Sequence, residues 1–273
     1  MTRCVTNGVQ LNVAIGGQGP PLALLHGFTG SAETWRAHSA VWSKKFTTVA
    51  VDLLGHGASD SPADAERFRM DWCAADLAAI FDHLGLARVN LLGYSMGGRV
   101  ALHMAVTHPE RVSALVLESA SPGLAGRDER TARVAGDEAL ARSIEQQGLE
   151  AFVDGWSRLP LFASQGRLPE AARAQLRAQR LRNNPRGLAN SLRGLGTGVT
   201  PPLWDRLQEV RCPTLVIAGA LDAKYVGVAR AMAAGLAASR LAIVPDAGHA
   251  THLEQPETFD RLVLEFLGEQ SFT

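Results

Sequence analysis

Several features that mark particular classes of protein are scarce or absent in this sequence. The 273 residues contain only three cysteines, Cys4, Cys73 and Cys212, which are too few and too scattered for a disulfide framework or a cysteine-rich metal site. No apolar run approaches the length needed to span a membrane, and the N-terminus lacks the basic and apolar segments of a signal peptide. We therefore expect a cytoplasmic protein without a membrane partner.

An excess of charge of one sign is also missing, because 27 basic residues balance 27 acidic ones. A neutral chain has no general electrostatic attraction to nucleic acid, so no nucleic-acid partner is expected. Lysine is rare, with three residues against 24 arginines, and none lies in residues 124–200. That stretch carries 12 arginines and eight acidic residues, and its charge of +4 favours an anionic ligand, since arginine binds carboxylates bidentately. Most arginines on helices are nevertheless expected at the solvent-exposed surface.

Short apolar runs alternate with helical patterns along most of the chain. Such runs are typical of strands buried on both faces of a parallel sheet, and they cover residues 22–25, 46–51, 89–92, 112–117, 214–218 and 241–244. Residues 9–15 alternate weakly and predict an early, partly exposed strand. Helices are predicted for residues 70–84, 96–107, 225–237 and 258–267. Repeated β-then-α units predict an α/β fold, with a mostly parallel sheet and helices on both faces.

Residues 124–200 differ from the rest because they contain no strand-like run. The stretch is typical of several helices broken at Gly148, Pro160, Pro169 and Pro185. We therefore predict a core formed by residues 1–123 and 201–273, with residues 124–200 inserted over one edge of its sheet as a helical cap.

Residues 89–100 carry the clearest functional pattern. Gly93, Ser95 and Gly97 have the spacing Gly-x-Ser-x-Gly between a predicted strand and a predicted helix. This arrangement is typical of a nucleophile elbow, a tight turn that presents the serine hydroxyl at the end of a sheet. An ordinary glycine-rich turn is the alternative. The pattern favours Ser95 as a catalytic nucleophile.

A serine nucleophile needs a histidine base and a carboxylate that orients the histidine. Both are expected after later strands, because ligands bind beyond the carboxyl ends of parallel strands. Asp222 follows the strand predicted at 214–218, and His249 follows the strand predicted at 241–244. His252 and Asp246 are the alternatives for the base and the carboxylate. The order Ser95, Asp222, His249 fits a hydrolase triad.

The loop His26-Gly27-Phe28 follows another predicted strand. In it, the backbone N–H of Phe28 can meet that of Met96, and together the two donors would form an oxyanion hole. A simple glycine turn is the alternative. His26 and the loop residue His56 are expected to line the site without a catalytic role.

With these features in place, the chain resembles the α/β-hydrolase family over essentially its whole length. The elbow, the His-Gly loop, the late aspartate and the late histidine occur in that family's order. Within the family, residues 93–99, 119–124, 180–204 and 218–225 are similar to 2-succinyl-6-hydroxy-2,4-cyclohexadiene-1-carboxylate synthases, the MenH enzymes of menaquinone biosynthesis. The serine nucleophile argues against a haloalkane dehalogenase or a dienelactone hydrolase.

The resemblance implies a lyase rather than a hydrolase. In these synthases the triad removes a proton from a cyclohexene that bears three carboxylates and an enolpyruvyl ether, and pyruvate is eliminated. The resemblance also implies that the polycarboxylate substrate is held by Arg99, Arg133 and Arg180, together with Trp156 and Tyr94. Arg130 and Arg182 are the alternatives to Arg133 and Arg180.

Neither a metal nor an organic cofactor is expected, because the sequence lacks Cys/His ligand spacing and glycine-rich phosphate loops. Two other functions stay open. One is a serine hydrolase that uses the same triad on a small acidic ester or a carbon–carbon bond, and the other is a non-catalytic ligand-binding protein on the same fold. The sequence predicts no oligomeric state.

Overall fold

Eight strands form one sheet in the computed structural model, which describes residues 2–270: β1 (Thr2–Thr6), β2 (Val9–Gly16), β3 (Pro21–Leu25), β4 (Thr47–Val51), β5 (Val89–Tyr94), β6 (Val112–Glu118), β7 (Thr214–Gly219) and β8 (Ser239–Val244). Their order across the sheet is β1-β2-β4-β3-β5-β6-β7-β8. The strand β2 pairs antiparallel with β1 and β4, whereas the pairs among β3 to β8 are parallel. The predicted, mostly parallel α/β sheet is confirmed.

The central strands are buried on both faces, as their apolar runs predict. Leu24, Leu91 and Leu115 are inaccessible to solvent, which is typical of parallel strands covered by helices on both sides. The bounds of β2 to β8 agree with the predicted strands to within two residues at each end. The strand β1 is not predicted from the sequence, because it lies at an open edge and exposes residues such as Val5.

Helices cover both faces of the sheet. Their bounds are α1 (Arg36–Trp42), α2 (Met70–His83), α3 (Met96–Thr107), α4 (Arg127–Gln147), α5 (Leu149–Ser157), α6 (Glu170–Arg180), α7 (Pro185–Leu195), α8 (Ala223–Gly235), α9 (Thr251–Glu254) and α10 (Pro256–Gln270). One apolar core contains Leu77, Met104 and Met232, from α2, α3 and α8. A second core contains Trp42 of α1 and Phe259 of α10.

The chain between β6 and β7 contains α4 to α7 and a 3-10 helix at Pro160–Arg167. Gly148 separates α4 from α5 with a φ of 85°, a left-handed conformation that glycine adopts without strain. The Asn184 side chain caps α7 by accepting hydrogen bonds from two backbone N–H groups, and Pro185 occupies the first helical position. Helices α4, α5 and α7 share a small apolar cluster, against which the ring of Phe28 packs.

Candidate active site

Ser95 lies in a strained turn between β5 and α3. Its φ of 51° falls in the left-handed region, where a non-glycine residue persists only when the surrounding structure enforces it. The Ser95 N–H donates a hydrogen bond of 2.8 Å to the Glu118 carbonyl of β6. Position 97 requires glycine, since a Cβ there would collide with the carbonyls of Leu25 and His26. The turn therefore presents Ser95 at the carboxyl end of the parallel strands.

Ser95, His249 and Asp222 form a continuous hydrogen-bonded chain. The Nε2 atom of His249 lies 3.1 Å from Ser95 Oγ, and its Nδ1 atom lies 2.8 Å from Asp222 Oδ2. Because an ionised carboxylate only accepts, Nδ1 carries the proton and Nε2 is left to accept the serine proton. The other Asp222 oxygen accepts the Tyr225 N–H at 3.2 Å, which caps α8. His249 is 1% exposed, and this geometry suits general-base activation of the serine hydroxyl.

The residues considered as alternatives for the base and the carboxylate lie in other surroundings. The Nδ1 atom of His252 lies 2.9 Å from both carboxylate oxygens of Glu118. Asp246 occupies a turn with a φ of 56°, and its carbonyl accepts a hydrogen bond from Arg167. Neither His252 nor Asp246 hydrogen-bonds to Ser95 within the described chain.

The loop after β3 is held in one orientation by His26. The His26 Nδ1 donates to the Gly27 carbonyl at 2.8 Å, and the Gly30 N–H donates to the same oxygen at 2.9 Å. Since the C=O and N–H groups of a trans peptide point in opposite directions, the Phe28 N–H is turned away from these donors. A Cβ at Gly27 would lie 3.5 Å from the Ser95 Cβ, so the loop backbone runs directly beside the serine.

His26 and His56 are buried together under this loop, with ring centroids 4.9 Å apart. Burial lowers the pKa of His26 to about 4 and that of His56 to about 3. Both imidazoles are therefore neutral near pH 7, which leaves the Nε2 of His26 free to accept the Leu53 N–H at 3.0 Å. The expectation that these histidines line the site is wrong, because they support the loop from behind the cavity wall.

A cavity of about 410 Å³ opens at Ser95, between the strand ends and the helices that follow β6. Its volume is typical of a small-molecule site. Met96 begins α3 at the cavity wall, so its backbone N–H lies at the positive end of the helix dipole. The lining residues include Phe28, Tyr94, Ser95, Met96, Arg99, Arg133, Asp137, Leu140, Trp156, Phe162, Leu192, Tyr225 and His249.

Arg99 reaches the cavity wall from the first turn of α3. One of its terminal nitrogens donates to the Leu195 carbonyl at 2.6 Å and to Thr200 Oγ1 at 3.4 Å. Burial lowers its pKa to about 10, so the guanidinium keeps its charge near pH 7. Both acceptors are neutral oxygens, and the charge has no directly bonded carboxylate within residues 2–270. The remaining N–H groups are available to an anionic ligand.

Arg133 lines the same cavity from α4. Its Nε donates to Asp137 Oδ1 at 2.8 Å, one helical turn further on, and its side chain is 47% exposed. Burial raises the pKa of Asp137, although the charge of Arg133 opposes the shift. Asp137 thus anchors one end of the guanidinium and leaves the terminal nitrogens for other partners.

Arg180 lies next to the cavity rather than in it. It lines an adjoining cavity of about 40 Å³ with Phe28, Tyr94 and Phe162, and these three rings line both cavities. A terminal nitrogen donates to Ser157 Oγ at 2.7 Å, and the guanidinium lies 5.3 Å from the centroid of the Phe162 ring. Arg180 is only 6% exposed, and burial lowers its pKa. An aromatic wall therefore separates this buried charge from the main cavity.

Trp156 and Tyr94, the aromatic residues named by the resemblance, both line the main cavity. The ring of Trp156 packs edge-on against Phe28, with centroids 5.3 Å apart. Its Nε1 is buried and has no hydrogen-bond partner within residues 2–270. The Tyr94 ring lies 5.6 Å from that of His249.

The alternative arginines do not line the main cavity. Arg130 donates to the carbonyls of Leu124 and Ala125 at 3.0 and 2.6 Å, which ties down the start of α4. Arg182 is solvent-exposed after the end of α6. Arg133 lines the main cavity and Arg180 lines the adjoining one, whereas Arg130 and Arg182 line neither.

Residues 20–256 match the model of the alpha/beta hydrolase fold family. The chain belongs to the alpha/beta hydrolase family. A Bacillus subtilis (strain 168) protein, provisionally named 2-succinyl-6-hydroxy-2,4-cyclohexadiene-1-carboxylate synthase, is 47% identical over 96% of each chain. A synthase of the same name from Serratia proteamaculans (strain 568) is 33% identical, over 91% of this chain and 93% of its own.

A solved structure, that of MenH from S. aureus, agrees with this α/β-hydrolase at a TM-score of 0.91 and 36% identity. The match covers 96% of this chain and 98% of the other. Together with the two sequence relatives, it places the chain among the 2-succinyl-6-hydroxy-2,4-cyclohexadiene-1-carboxylate synthases of the family. The resemblance stated from the sequence is confirmed.

This α/β-hydrolase also lines its cavity with a residue that sequence reasoning missed. Tyr225 follows Asp222 by three positions, and its ring lies edge-on to His249, with centroids 4.5 Å apart. Burial raises the pKa of Tyr225, and the charges of Arg99 and Arg133 act in the opposite direction. The sequence signal for Tyr225 is its position three residues after Asp222, because the third residue of a helix lies beside the residue that caps it.

The described residues of the α/β-hydrolase contain neither a grouped set of metal ligands nor a membrane-spanning helix. Within residues 2–270, no three His, Cys, Asp or Glu side chains are grouped to hold a metal ion. No helix there combines the length and the apolar character that a membrane span requires. Its three cysteines are free and buried.

Proposed function

We propose that this α/β-hydrolase is a lyase of menaquinone biosynthesis. It eliminates pyruvate from 2-succinyl-5-enolpyruvyl-6-hydroxy-3-cyclohexene-1-carboxylate and forms 2-succinyl-6-hydroxy-2,4-cyclohexadiene-1-carboxylate. The observation that carries the proposal is the hydrogen-bonded chain of Ser95, His249 and Asp222, which faces a cavity with the half-buried charge of Arg99 in its wall. The names of the relatives support it.

The triad acts as a general base in this proposal. His249, oriented by Asp222, accepts the hydroxyl proton of Ser95 while Ser95 Oγ removes the ring proton beside the ketone of the succinyl chain. The electron pair moves onto the ketone oxygen. The electron pair then forms a new ring double bond, and the existing ring double bond shifts by one position. This shift breaks the carbon–oxygen bond to the enolpyruvyl group. The leaving enolpyruvate takes up the proton from His249 and becomes pyruvate, so no covalent bond to Ser95 is needed.

The negative charge that develops on the ketone oxygen is met by the N–H groups of Phe28 and Met96. Two observations support this assignment. The Gly27 carbonyl accepts its hydrogen bonds on the far side of the loop, so the Phe28 N–H of the same peptide points the other way. Met96 lies at the start of α3. One such donor is worth about 3–4 kcal/mol of transition-state stabilisation.

The arginines hold the three substrate carboxylates in place. Arg99 and Arg133 line the cavity and supply charged hydrogen bonds, each worth about 1.5–3 kcal/mol. Arg180 adds positive potential from behind the wall of Phe28, Tyr94 and Phe162, and Trp156 packs against the ligand from the same side. These carboxylates do not react, so their contacts position the ring for proton transfer.

Residues 124–200 act as a cap over the core formed by residues 1–123 and 201–273. Their helices contribute Arg133, Trp156 and Leu192 to the cavity, opposite the strand ends. A cap in this position limits the access of water to Ser95, which favours elimination over hydrolysis.

The test is pyruvate release from the enolpyruvyl cyclohexene by wild type and by Ser95→Ala. Ser143→Ala serves as a matched control, because Ser143 does not line the main cavity. Fast multiple turnover that only the Ser95 variant loses would support the proposal. Release at the uncatalysed rate, combined with turnover of a p-nitrophenyl ester, would refute the lyase and indicate a serine hydrolase. Binding of the cyclohexene with turnover of neither compound would indicate a ligand-binding protein.

A further inference from the structure

Glu118, the last residue of β6, carries a fully buried carboxylate that the proposed reaction does not use. Its Oε1 accepts hydrogen bonds from Thr251 Oγ1 at 2.6 Å and from the His252 N–H at 3.0 Å. The Nδ1 of His252 lies 2.9 Å from both carboxylate oxygens. One side chain therefore binds three groups of the segment that begins two residues after His249.

The backbone of Glu118 binds the opposite side of the site. Its carbonyl accepts the Ser95 N–H at 2.8 Å, and it stands in register with Tyr94 between β5 and β6. The main chain of this residue thus fixes the strained elbow, and its side chain fixes the loop that carries His249. A single residue therefore connects the turn that carries Ser95 to the loop that carries His249.

The ring of His252 reinforces the same connection. It lies 4.7 Å from the centroid of the Tyr94 ring and 5.1 Å from that of Trp35. His252 is 1% exposed, and its Nε2 has no hydrogen-bond partner within residues 2–270. Its place in the fold therefore depends on Glu118 and on packing against aromatic rings.

The carboxylate of Glu118 is held in its charged form. Burial alone would raise its pKa, but the charge interaction with His252 and the hydrogen bonds from His252 and Thr251 outweigh burial and lower the pKa below its ordinary value. A glutamine side chain at this position would lack the charge, and its amide N–H groups would face the donors that now bind the carboxylate.

We propose that Glu118 is a positioning residue, which sets the distance between the nucleophile and the base by binding the elbow through its backbone and the histidine loop through its carboxylate. The inference rests on the proposed triad. A misplacement of reacting groups by about 1 Å can cost about 100-fold in rate, so a loosened histidine loop lowers the rate of proton transfer. Substrate binding is untouched, because Glu118 does not line the cavity.

The experiment compares Glu118→Gln with Asp76→Asn. Asp76 is a second buried carboxylate, which binds Arg67 at 2.7 Å and Asn7 at 3.0 Å and does not line the cavity. Two rates are measured well below the melting temperature: pyruvate release, and covalent labelling of Ser95 by a fluorophosphonate. Glu118→Gln is expected to lower kcat and the labelling rate by at least about tenfold, with KM within about twofold. Asp76→Asn is expected to lose stability while both rates stay at the wild-type level.

A folded Glu118→Gln protein with wild-type kcat and labelling rate would overturn the inference. Should that variant not fold, Thr251→Val removes one hydrogen bond to the same carboxylate, and an unchanged labelling rate in it would overturn the inference equally. Labelling of wild type without pyruvate release would refute the proposed substrate, and the labelling comparison would still decide the role of Glu118. A wild-type protein that neither labels nor releases pyruvate would refute the triad and this inference together.

Discussion

Replacement of Arg99 by alanine is expected to weaken substrate binding far more than the chemical step. Its contacts to the Leu195 carbonyl and Thr200 occupy one terminal nitrogen, which leaves the rest of a half-buried guanidinium for a substrate carboxylate. Loss of one charged hydrogen bond costs about 1.5–3 kcal/mol. Because about 1.4 kcal/mol corresponds to a tenfold change, kcat/KM should fall by about 10- to 150-fold.

The loss should lie in KM. The carboxylate that Arg99 binds keeps its charge throughout the elimination, so the contact is equally strong in the ground state and the transition state, and kcat should change by less than about threefold. Steady-state pyruvate release measures both constants. Arg130→Ala is the matched control, since Arg130 binds two backbone carbonyls outside the cavity.

Two results would refute this reasoning about Arg99. A KM within about twofold of wild type would mean that the guanidinium does not bind substrate. A fall in kcat at constant KM would mean that Arg99 stabilises charge that develops only in the transition state. An equal loss in the Arg130 control would instead assign the effect to the stability of the cap.

Three further changes test other parts of the site. The free energy of unfolding should fall as the pH drops below 6.5, because the unfolded chain then binds protons that buried His26 and His56 take up only near their folded pKa values of about 4 and about 3. Each histidine contributes about 1.4 kcal/mol per pH unit to the free energy of unfolding in that window. Urea titrations of His56→Gln should therefore show a smaller dependence of this free energy on pH, and an unchanged dependence would contradict the assignment. Gly27→Ala places a methyl group 2.7 Å from the Tyr94 ring. The contact should displace the loop and lower kcat at least about tenfold. A folded variant with full kcat would contradict the position of the oxyanion donor. Tyr225→Phe keeps the ring but loses the hydroxyl, and it should raise KM about 2- to 10-fold at constant kcat, as a neutral hydrogen bond is worth about 0.5–1.5 kcal/mol; a change in kcat alone would contradict a binding role.

The parts of the site that belong to strand ends could be predicted from the sequence. A buried apolar run followed by a turn has few alternatives to a central strand, and the helix predicted at 96–107 coincides with α3. The positions of Ser95, Asp222 and His249 relative to the sheet follow from this local pattern, because parallel strands bring their carboxyl ends to one edge.

The parts that depend on packing between helices could not be predicted in the same way. The sequence places Arg180 on a helix, but the neighbouring Phe162 ring, from a different element, decides that the charge stands behind an aromatic wall. The sequence does not single out Tyr225, because a tyrosine at the start of a helix has many ordinary roles. Nor does it mark the edge strand β1, since only one face of this strand is covered and it lacks an apolar run.

Phe28 gives the α/β-hydrolase an unusual constraint on the exchange of its parts. Its backbone belongs to the loop beside Ser95, yet its ring packs edge-on against Phe152 and Trp156 of α5, at 6.2 and 5.3 Å. A foreign set of helices grafted between β6 and β7 would leave this ring without a partner and the loop without its backing. Chimeras of this scaffold should therefore be active only when the grafted helices supply an aromatic partner for Phe28. New substrate ranges are more accessible through substitutions within the existing helices than through replacement of all of them.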